Sequence, residues 1–171
     1  MIGPYVPYME NFDVFPKRVK NRLRGYDYNL MEEYFITIVT NQRKFLFGEV
    51  VGEEMVLNEA GEMVERYIQT LSQQYENLTV LRHVVMPNHI HLLLHLPDGL
   101  CLYDVIRDFK SFTAHEYVDG VTKYDWIPFH KHLWQRSYYD HIIRNQRDYD
   151  LIENYIINNP KQWAWDCYRT L

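Results

Sequence analysis

The stretch Met86-Pro87-Asn88-His89-Ile90-His91-Leu92-Leu93-Leu94-His95-Leu96 reads as a buried β-strand entered through a tight Pro-Asn turn. Successive side chains of a strand point to opposite faces. Ile90, Leu92, Leu94 and Leu96 therefore share one face, and His89 and His91 project side by side from the other. Neighbouring imidazoles on a rigid strand form half of a metal site. Taken alone they are read equally well as polar surface or as satisfied core. His95 shares their face, but it lies about 13 Å along the strand from His91, too far for one ion to hold both.

The segments around this strand place it in a fold. Residues 34–40 (YFITIVT) are rich in β-branched and aromatic side chains and read as a strand. Residues 45–57 carry two apolar runs divided near Gly52-Glu53, the pattern of a hairpin. Asn58 is a cap for a helix to about Tyr75, on which Ala60, Met63, Val64, Tyr67, Ile68 and Leu71 recur at helical spacing. Residues 79–85 form the next strand, ahead of the histidine strand. Leu102, Val105, Ile106, Phe109, Phe112 and Thr113 mark a second amphipathic helix. Residues 119–133 read as loop and 137–143 as a further strand. A last helix begins near Asn145, with Asp148 completing a capping box, and stops at Pro160. The order β-α-β-β-α-β predicts an α+β, ferredoxin-like split βαβ sandwich: an antiparallel sheet with helices on one face, a β-hairpin insert and a C-terminal helix. The division expected is a basic arm over 1–28, one domain over 29–166 and a tail over 167–171.

Composition bounds the class. With 171 residues, 47% hydrophobic and 16% aromatic, the chain can bury one proper core. No apolar run approaches the roughly 20 residues that span a bilayer, and the N-terminus lacks a charged-then-apolar signal pattern, so a cytoplasmic location is expected. Cys101 and Cys167 suggest neither a disulfide framework nor a zinc motif. A net charge of −5 argues against a nonspecific nucleic-acid coat. Charge is uneven, however. Residues 17–24 hold Lys17, Arg18, Lys20, Arg22 and Arg24 with no acid, and over 131–147 Lys131, Arg136, Arg144 and Arg147 face only Asp140. Such patches are read equally as phosphate contacts or as solvated surface.

The last helix supplies what the histidine pair lacks. Tyr155 and Asn159 are four residues apart and share one face. Asn159 offers an oxygen ligand beside the two imidazoles, and Tyr155 a phenol. A His₂ plus amide-oxygen set suits Mg²⁺ or Mn²⁺ better than structural zinc, and such an ion acts as a Lewis acid on a phosphodiester. Tyr155, with Leu151, Ile152 and Ile156 around it, is also read as a core residue.

The ordered set RLRGYDY (22–28), YFITIVT (34–40), GEVVGEEMVLNEAG (48–61), VVMPNHIHLLL (84–94), LWQRSYYDHIIRN (133–145) and YIINNPKQW (155–163) resembles the REP-associated tyrosine transposases. These are insertion-sequence-200/605-like, single-tyrosine members of the HUH (His-hydrophobic-His) nucleases. The resemblance covers about residues 22–163. It implies a metal-dependent single-stranded DNA endonuclease and strand transferase, with His89 and His91 as ligands of Mg²⁺ or Mn²⁺ and Asn159 where relatives have a third. Tyr155 is then the nucleophile that forms a 5′-phosphotyrosyl link and releases a 3′-hydroxyl. It also implies DNA contacts from Arg18, Lys20, Arg22, Arg24, Arg107, Lys110, Ser111, Arg136 and Arg144, and the same ferredoxin-like fold. The partner implied is single-stranded DNA of hairpin or palindromic repeats, with the protein at the nucleoid while acting and a homodimer left open.

The alternative within the resemblance is a domesticated binder of hairpin repeats that does not cut. A histidine-triad nucleotide hydrolase fails, because its third histidine falls on Leu93. A ferredoxin-like module unrelated to nucleic acid leaves the joint His pair and Tyr-Asn pair to coincidence. Tyr149, six residues before Tyr155, does not share its helical face; Tyr138 and Tyr139 are read as packing or DNA-stacking residues, and His141 as structural or a phosphate contact.

Overall fold

The computed structural model describes residues 32–169. The basic arm, with Arg18, Lys20, Arg22 and Arg24, lies outside the described residues. Six strands and three helices follow in order: β1 (Glu32–Val39), β2 (Gly48–Val51), β3 (Glu54–Leu57), α1 (Glu59–Gln74), β4 (Thr79–Val85), β5 (His89–Leu96), α2 (Leu102–Tyr124), β6 (Tyr139–Ile142) and α3 (Gln146–Gln162). Strands β2 and β3 form the separate hairpin. The other four make one sheet in the order β4-β5-β1-β6, every pair antiparallel. This is the α+β ferredoxin-like arrangement that the element order predicts.

Strand β5 is central and buried on both faces, and its alternation sorts the molecule into two layers. Ile90, Leu92 and Leu94, with Ile36 and Ile38 of β1, pack against Met63, Val64 and Ile68 of α1 and Val105, Ile106 and Phe109 of α2. That is the main core, where each buried aliphatic side chain contributes about 1.5–3 kcal/mol. The opposite face holds a smaller cluster: Phe35 and Leu93 against Ile152 and Ile156 of α3. Helices α1 and α2 thus share one face, as expected, and the C-terminal helix closes the other.

Two helix ends differ from the sequence reading. Helix α2 runs on through 119–124 because its buried stripe continues at Tyr117 and Gly120. Gly120 resembles a breaker in sequence, but it is small for packing: a Cβ there would lie 2.1 Å from Cε3 of Trp126. The helix stops at Asp125, which adopts the left-handed conformation, φ 57°. Helix α3 passes through Pro160 to Gln162. The proline stands in the last turns, where it removes one hydrogen bond and a 3-10 turn (Trp163–Trp165) takes over. Asn58 and Asn145 cap α1 and α3 as expected, accepting from the backbone N–H of Gly61 and Asp148 at 2.9 and 3.0 Å. The Asp148 carboxylate accepts from Arg144 N–H at 3.4 Å and binds His141 Nε2 at 2.8 Å, which gives His141 its structural role.

Helix α1 crosses the loop before β2 closely. A Cβ on Gly61 would lie 2.1 Å from the Phe47 carbonyl oxygen, a backbone atom that cannot swing aside. Gly61→Ala is therefore expected to destabilise by about 1–3 kcal/mol, the usual range for overpacking. A thermal melt showing an unchanged midpoint would mean that α1 lifts off the loop without cost.

Candidate metal and nucleophile site

The odd-numbered face of β5 brings His89 and His91 together under α3. Both are buried, with ring centroids 4.6 Å apart and Nε2 atoms 3.1 Å apart. Two nitrogens that touch one ion in adjacent positions at about 2.1 Å stand about 3.0 Å apart, so the spacing fits a shared cation. Each imidazole is oriented by a bond at its other nitrogen. Asn88 Nδ2 donates to the carbonyls of Arg43 and Tyr168, at 3.0 and 2.6 Å. Its Oδ1 is left to accept from His89 Nδ1–H at 2.9 Å. The proton of His89 therefore sits on Nδ1, and its Nε2 presents a lone pair toward His91. His91 Nδ1 lies 2.8 Å from Thr37 Oγ1, on the strand paired beside it.

Tyr155 and Asn159 of α3 meet this pair as their spacing predicts. The Tyr155 ring lies 5.1 Å from that of His91 and edge-on to Phe35 at 6.0 Å. Asn159 is buried, donates from Nδ2 to Asp166 Oδ2 at 3.3 Å, and leaves its Oδ1 buried without a hydrogen-bond partner among the described residues. Asp166 itself is the residue that sequence reasoning missed. Its carboxylate stands 3.9 Å from His89 Nε2, and its ligand atom lies within 4.8 Å of those of both histidines. The tail that carries it turns back over the site: the Tyr168 ring lies tilted against His89 at 4.7 Å, and Trp163 lies at 6.0 Å. Asp166 fixes that turn by accepting from Tyr168 N–H at 2.7 Å. The one hint in sequence is that Asp166 is the sole acid after Glu153.

Burial governs the charge states. It holds the His89 imidazole well below its ordinary range, helped by His91 and, more weakly, Arg43, while the Asn159 amide pulls in the other direction. Burial alone brings His91 down to about 3. Both rings are neutral at pH 7, the state a metal ligand needs. Burial also raises Asp166, opposed by the Tyr168 N–H, Asn159 and Arg43. Tyr155 is pushed well above the usual phenol range by burial first and then by the charge of Asp166. Two neutral imidazoles and one carboxylate, with an amide oxygen beside them, make a mixed N/O set that could hold a metal ion. A cation there would relieve the orphaned acceptor, oppose the rise at Asp166 and favour the Tyr155 phenolate.

The other candidates do not converge on this pocket. Arg107, Lys110 and Ser111 lie on α2, beyond the opposite face of the sheet. With Arg136 they line an open groove of about 1630 Å³. Arg107 is paired with Asp104 and Asp108, at 2.6 and 2.8 Å. The Lys110 ammonium reaches the carbonyls of Gln135, Arg136 and Ser137, at 3.0, 3.4 and 3.2 Å, and burial lowers it to about 8. Arg144 is exposed ahead of α3, at the end away from Tyr155. Of the other tyrosines, Tyr139 lies against Phe35 at 6.2 Å, Tyr149 joins the α3 cluster, and Tyr138 lies 5.3 Å beneath the Lys110 ammonium.

With this geometry in hand, likeness to known proteins is informative. The family model "Transposase IS200 like" matches residues 27–159. A Haemophilus influenzae protein described as uncharacterized is 29% identical over 170 residues, covering 85% of this chain and 89% of its own length. The REP-associated tyrosine transposase of Escherichia coli K12 is 31% identical over 83 residues, covering 48% of this chain and 44% of its own. Among solved structures, a REP-associated tyrosine transposase bound to a REP hairpin superposes with a TM-score of 0.62 at 24% identity, over 85% of this chain and 75% of that one. A putative transposase from Deinococcus radiodurans gives 0.50 at 22%, over 80% and 95%. At those identities the superpositions show the fold.

Two outcomes follow from the imidazoles. The folded His91 pKa lies below its ordinary value, so the unfolded chain takes up a proton that the folded one refuses. Stability of the metal-free protein should be full above about pH 6.5 and fall on acidification toward pH 3, by up to about 1.4 kcal/mol per unit from this group; denaturant melts across that range, with His91→Leu showing a flatter profile, check it. Asn88→Ala removes the bond that orients His89, and Mn²⁺ affinity by calorimetry should fall about 10- to 100-fold.

Proposed function

The chain belongs to the IS200-like transposase family, and on that premise we propose that it cleaves and transfers single-stranded DNA through Tyr155 at a divalent-cation site. The observation that carries this reading is the meeting of His89, His91 and Asp166 with the tyrosine of α3 in one buried pocket. His89 Nε2, His91 Nε2 and an Asp166 oxygen would hold the ion, with Asn159 Oδ1 beside them. Mg²⁺ or Mn²⁺, when bound, supplies a Lewis acid that polarises a phosphodiester and lowers the phenol pKa.

The protein's own residues do the rest. Asn88 and Thr37 hold the imidazoles in register, Thr37 accepting from His91 Nδ1–H so that both Nε2 lone pairs face inward. Phe35 and Ile156 fix the position of the Tyr155 ring. The phenol oxygen attacks phosphorus in line with the 3′ oxygen. The Tyr–O–P bond forms, the P–O3′ bond breaks, the phenol proton is lost to solvent, and the departing 3′ oxygen takes up a proton. The products are a 5′-phosphotyrosine and a 3′-hydroxyl; attack by another 3′-hydroxyl reverses the chemistry and joins strands. Hairpin or palindromic repeat DNA is the substrate class proposed, since a related protein is seen with a REP hairpin. No helix among the described residues is long and apolar enough to cross a membrane, in keeping with the cytoplasmic, nucleoid-associated role proposed.

The test mixes the protein with hairpin-flanked single-stranded DNA and Mn²⁺ or Mg²⁺ and resolves covalent adducts by denaturing gel. The native protein should form an adduct that chelation abolishes. Tyr155→Phe should form none, and His91→Ala should lose at least about 100-fold of the rate. An adduct that persists in Tyr155→Phe refutes the nucleophile. Binding with no adduct under any divalent ion points to a domesticated hairpin binder.

A further inference from the structure

Resting on that reading, we infer that Arg43 is the phosphate-holding residue of the site, its guanidinium taking a non-bridging oxygen of the scissile DNA phosphodiester. Nothing in the local sequence Asn41-Gln42-Arg43-Lys44 singles it out. Its placement does. Arg43 is half-buried at the rim of the pocket, with its guanidinium 5.8 Å from the centre of the Tyr168 ring, which in turn lies tilted against His89 at 4.7 Å. Nη1 donates to the Cys167 carbonyl at 2.8 Å, between Asp166 and Tyr168. The guanidinium carries five donors in a planar fork, a geometry matched to phosphate.

The backbone beneath it is held in an uncommon conformation. Gln42 and Arg43 are both left-handed, φ 58° and 53°, at a cost of order 1 kcal/mol or more each for residues other than glycine. Such a turn persists only where its surroundings impose it. Thr40 Oγ1 donates to the Lys44 carbonyl at 2.9 Å, and Asn41 Nδ2 to the His130 carbonyl at 2.9 Å. Asn88 Nδ2 donates to the Arg43 carbonyl. The amide that orients the His89 imidazole therefore also positions the Arg43 main chain, and the two move as one unit.

Charge gives Arg43 its work. When the Tyr155 phenolate attacks, the phosphoryl group in flight carries the charge of the diester and that of the phenolate. Asp166 adds a third negative charge, and the imidazoles are neutral. A divalent ion offsets two of the three, and Arg43 the remaining one. In a water-poor site a positioned cation of this kind is worth far more than on the surface.

The experiment compares native protein, Arg43→Gln and Arg43→Lys on a hairpin-flanked single-stranded oligonucleotide. Binding is read first in EDTA by fluorescence anisotropy over a salt series, so that the readout needs neither metal nor cleavage. Arg43→Gln should flatten the slope of log K against log salt by about 0.7, the value for one lost single-strand phosphate contact. Arg43→Lys should keep the native slope. With Mn²⁺ and saturating DNA, adduct formation should fall about 10- to 100-fold in Arg43→Gln and recover in part in Arg43→Lys. Because the glutamine variant loses its bond to Cys167, the native protein is also treated with a guanidine-directed reagent and mapped by mass spectrometry. The oligonucleotide should protect Arg43.

An unchanged salt slope with no protection overturns the inference and leaves Arg43 as a clamp on the 166–168 tail, whatever happens to the melting temperature. The outcomes separate from those of the cleavage reading. A native adduct with an unchanged slope sinks only the role of Arg43. A flattened slope with no native adduct sinks the cleavage and keeps the phosphate contact.

Discussion

The molecule depends on a single constraint: β5 is hydrogen-bonded on both edges and buried on both faces. A strand in that position must satisfy two different neighbours with alternate residues. Its even positions are aliphatic and join α1 and α2 in the main core, which carries most of the hydrophobic stabilisation. Its odd positions are His89, His91, Leu93 and His95, and Leu93 packs against α3. A slip of one residue in register would drive imidazoles into the aliphatic core and leucines into the pocket, so the pairing of β5 with β1 and β4 is strongly specified. The chemistry is mounted on the most rigid element of the fold.

The same burial sets the electrostatics. Buried imidazoles stay neutral, a buried carboxylate is forced toward its protonated range, and a buried phenol resists ionisation. Each effect is a cost of removing charge from water. A divalent cation among these donors would keep the imidazoles neutral and would oppose the other two effects. The pocket is therefore unsuited to accumulating negative charge on its own and matched to a positive ion, with Arg43 at its rim as the protein's own positive charge. Such clusters of mutually perturbed groups mark functional sites more often than structural ones.

How much of this was legible in sequence differs by element. Strands β4 and β5, the hairpin and the asparagine caps of α1 and α3 follow from period, turn chemistry and capping, all local effects. The last turns of α2, residues 119–124, were not legible: Gly120 there is small for the Trp126 ring and not for a turn. The end of α3 was hidden by Pro160, which a last turn tolerates. In the site, His89 with His91 and Tyr155 with Asn159 were legible because each pair lies on one element, two and four residues apart. Asp166 and Tyr168 of the tail, Arg43 ahead of β2 and Thr37 of β1 were not, because these segments are far apart in the chain and no spacing links them to the histidines. Arg107, Lys110 and Ser111 of α2 were named as DNA contacts by resemblance, and they stand across the sheet from the histidines.

By itself, then, the amino-acid order determined what short-range geometry can encode: which residues form strands and helices, which face of β5 is apolar, and that two imidazoles and a phenol are presented in fixed relation to their own backbones. Only the tertiary structure decided which carboxylate joins them, which amide orients them and which cation overlooks them. The physical reason is distance along the chain. Residues near 40, 88 and 166 meet because an antiparallel sheet places the end of β1 beside the start of β5 and a small apolar cluster draws α3 and its tail back across both. That encounter is settled by global packing, to which no local pattern gives access.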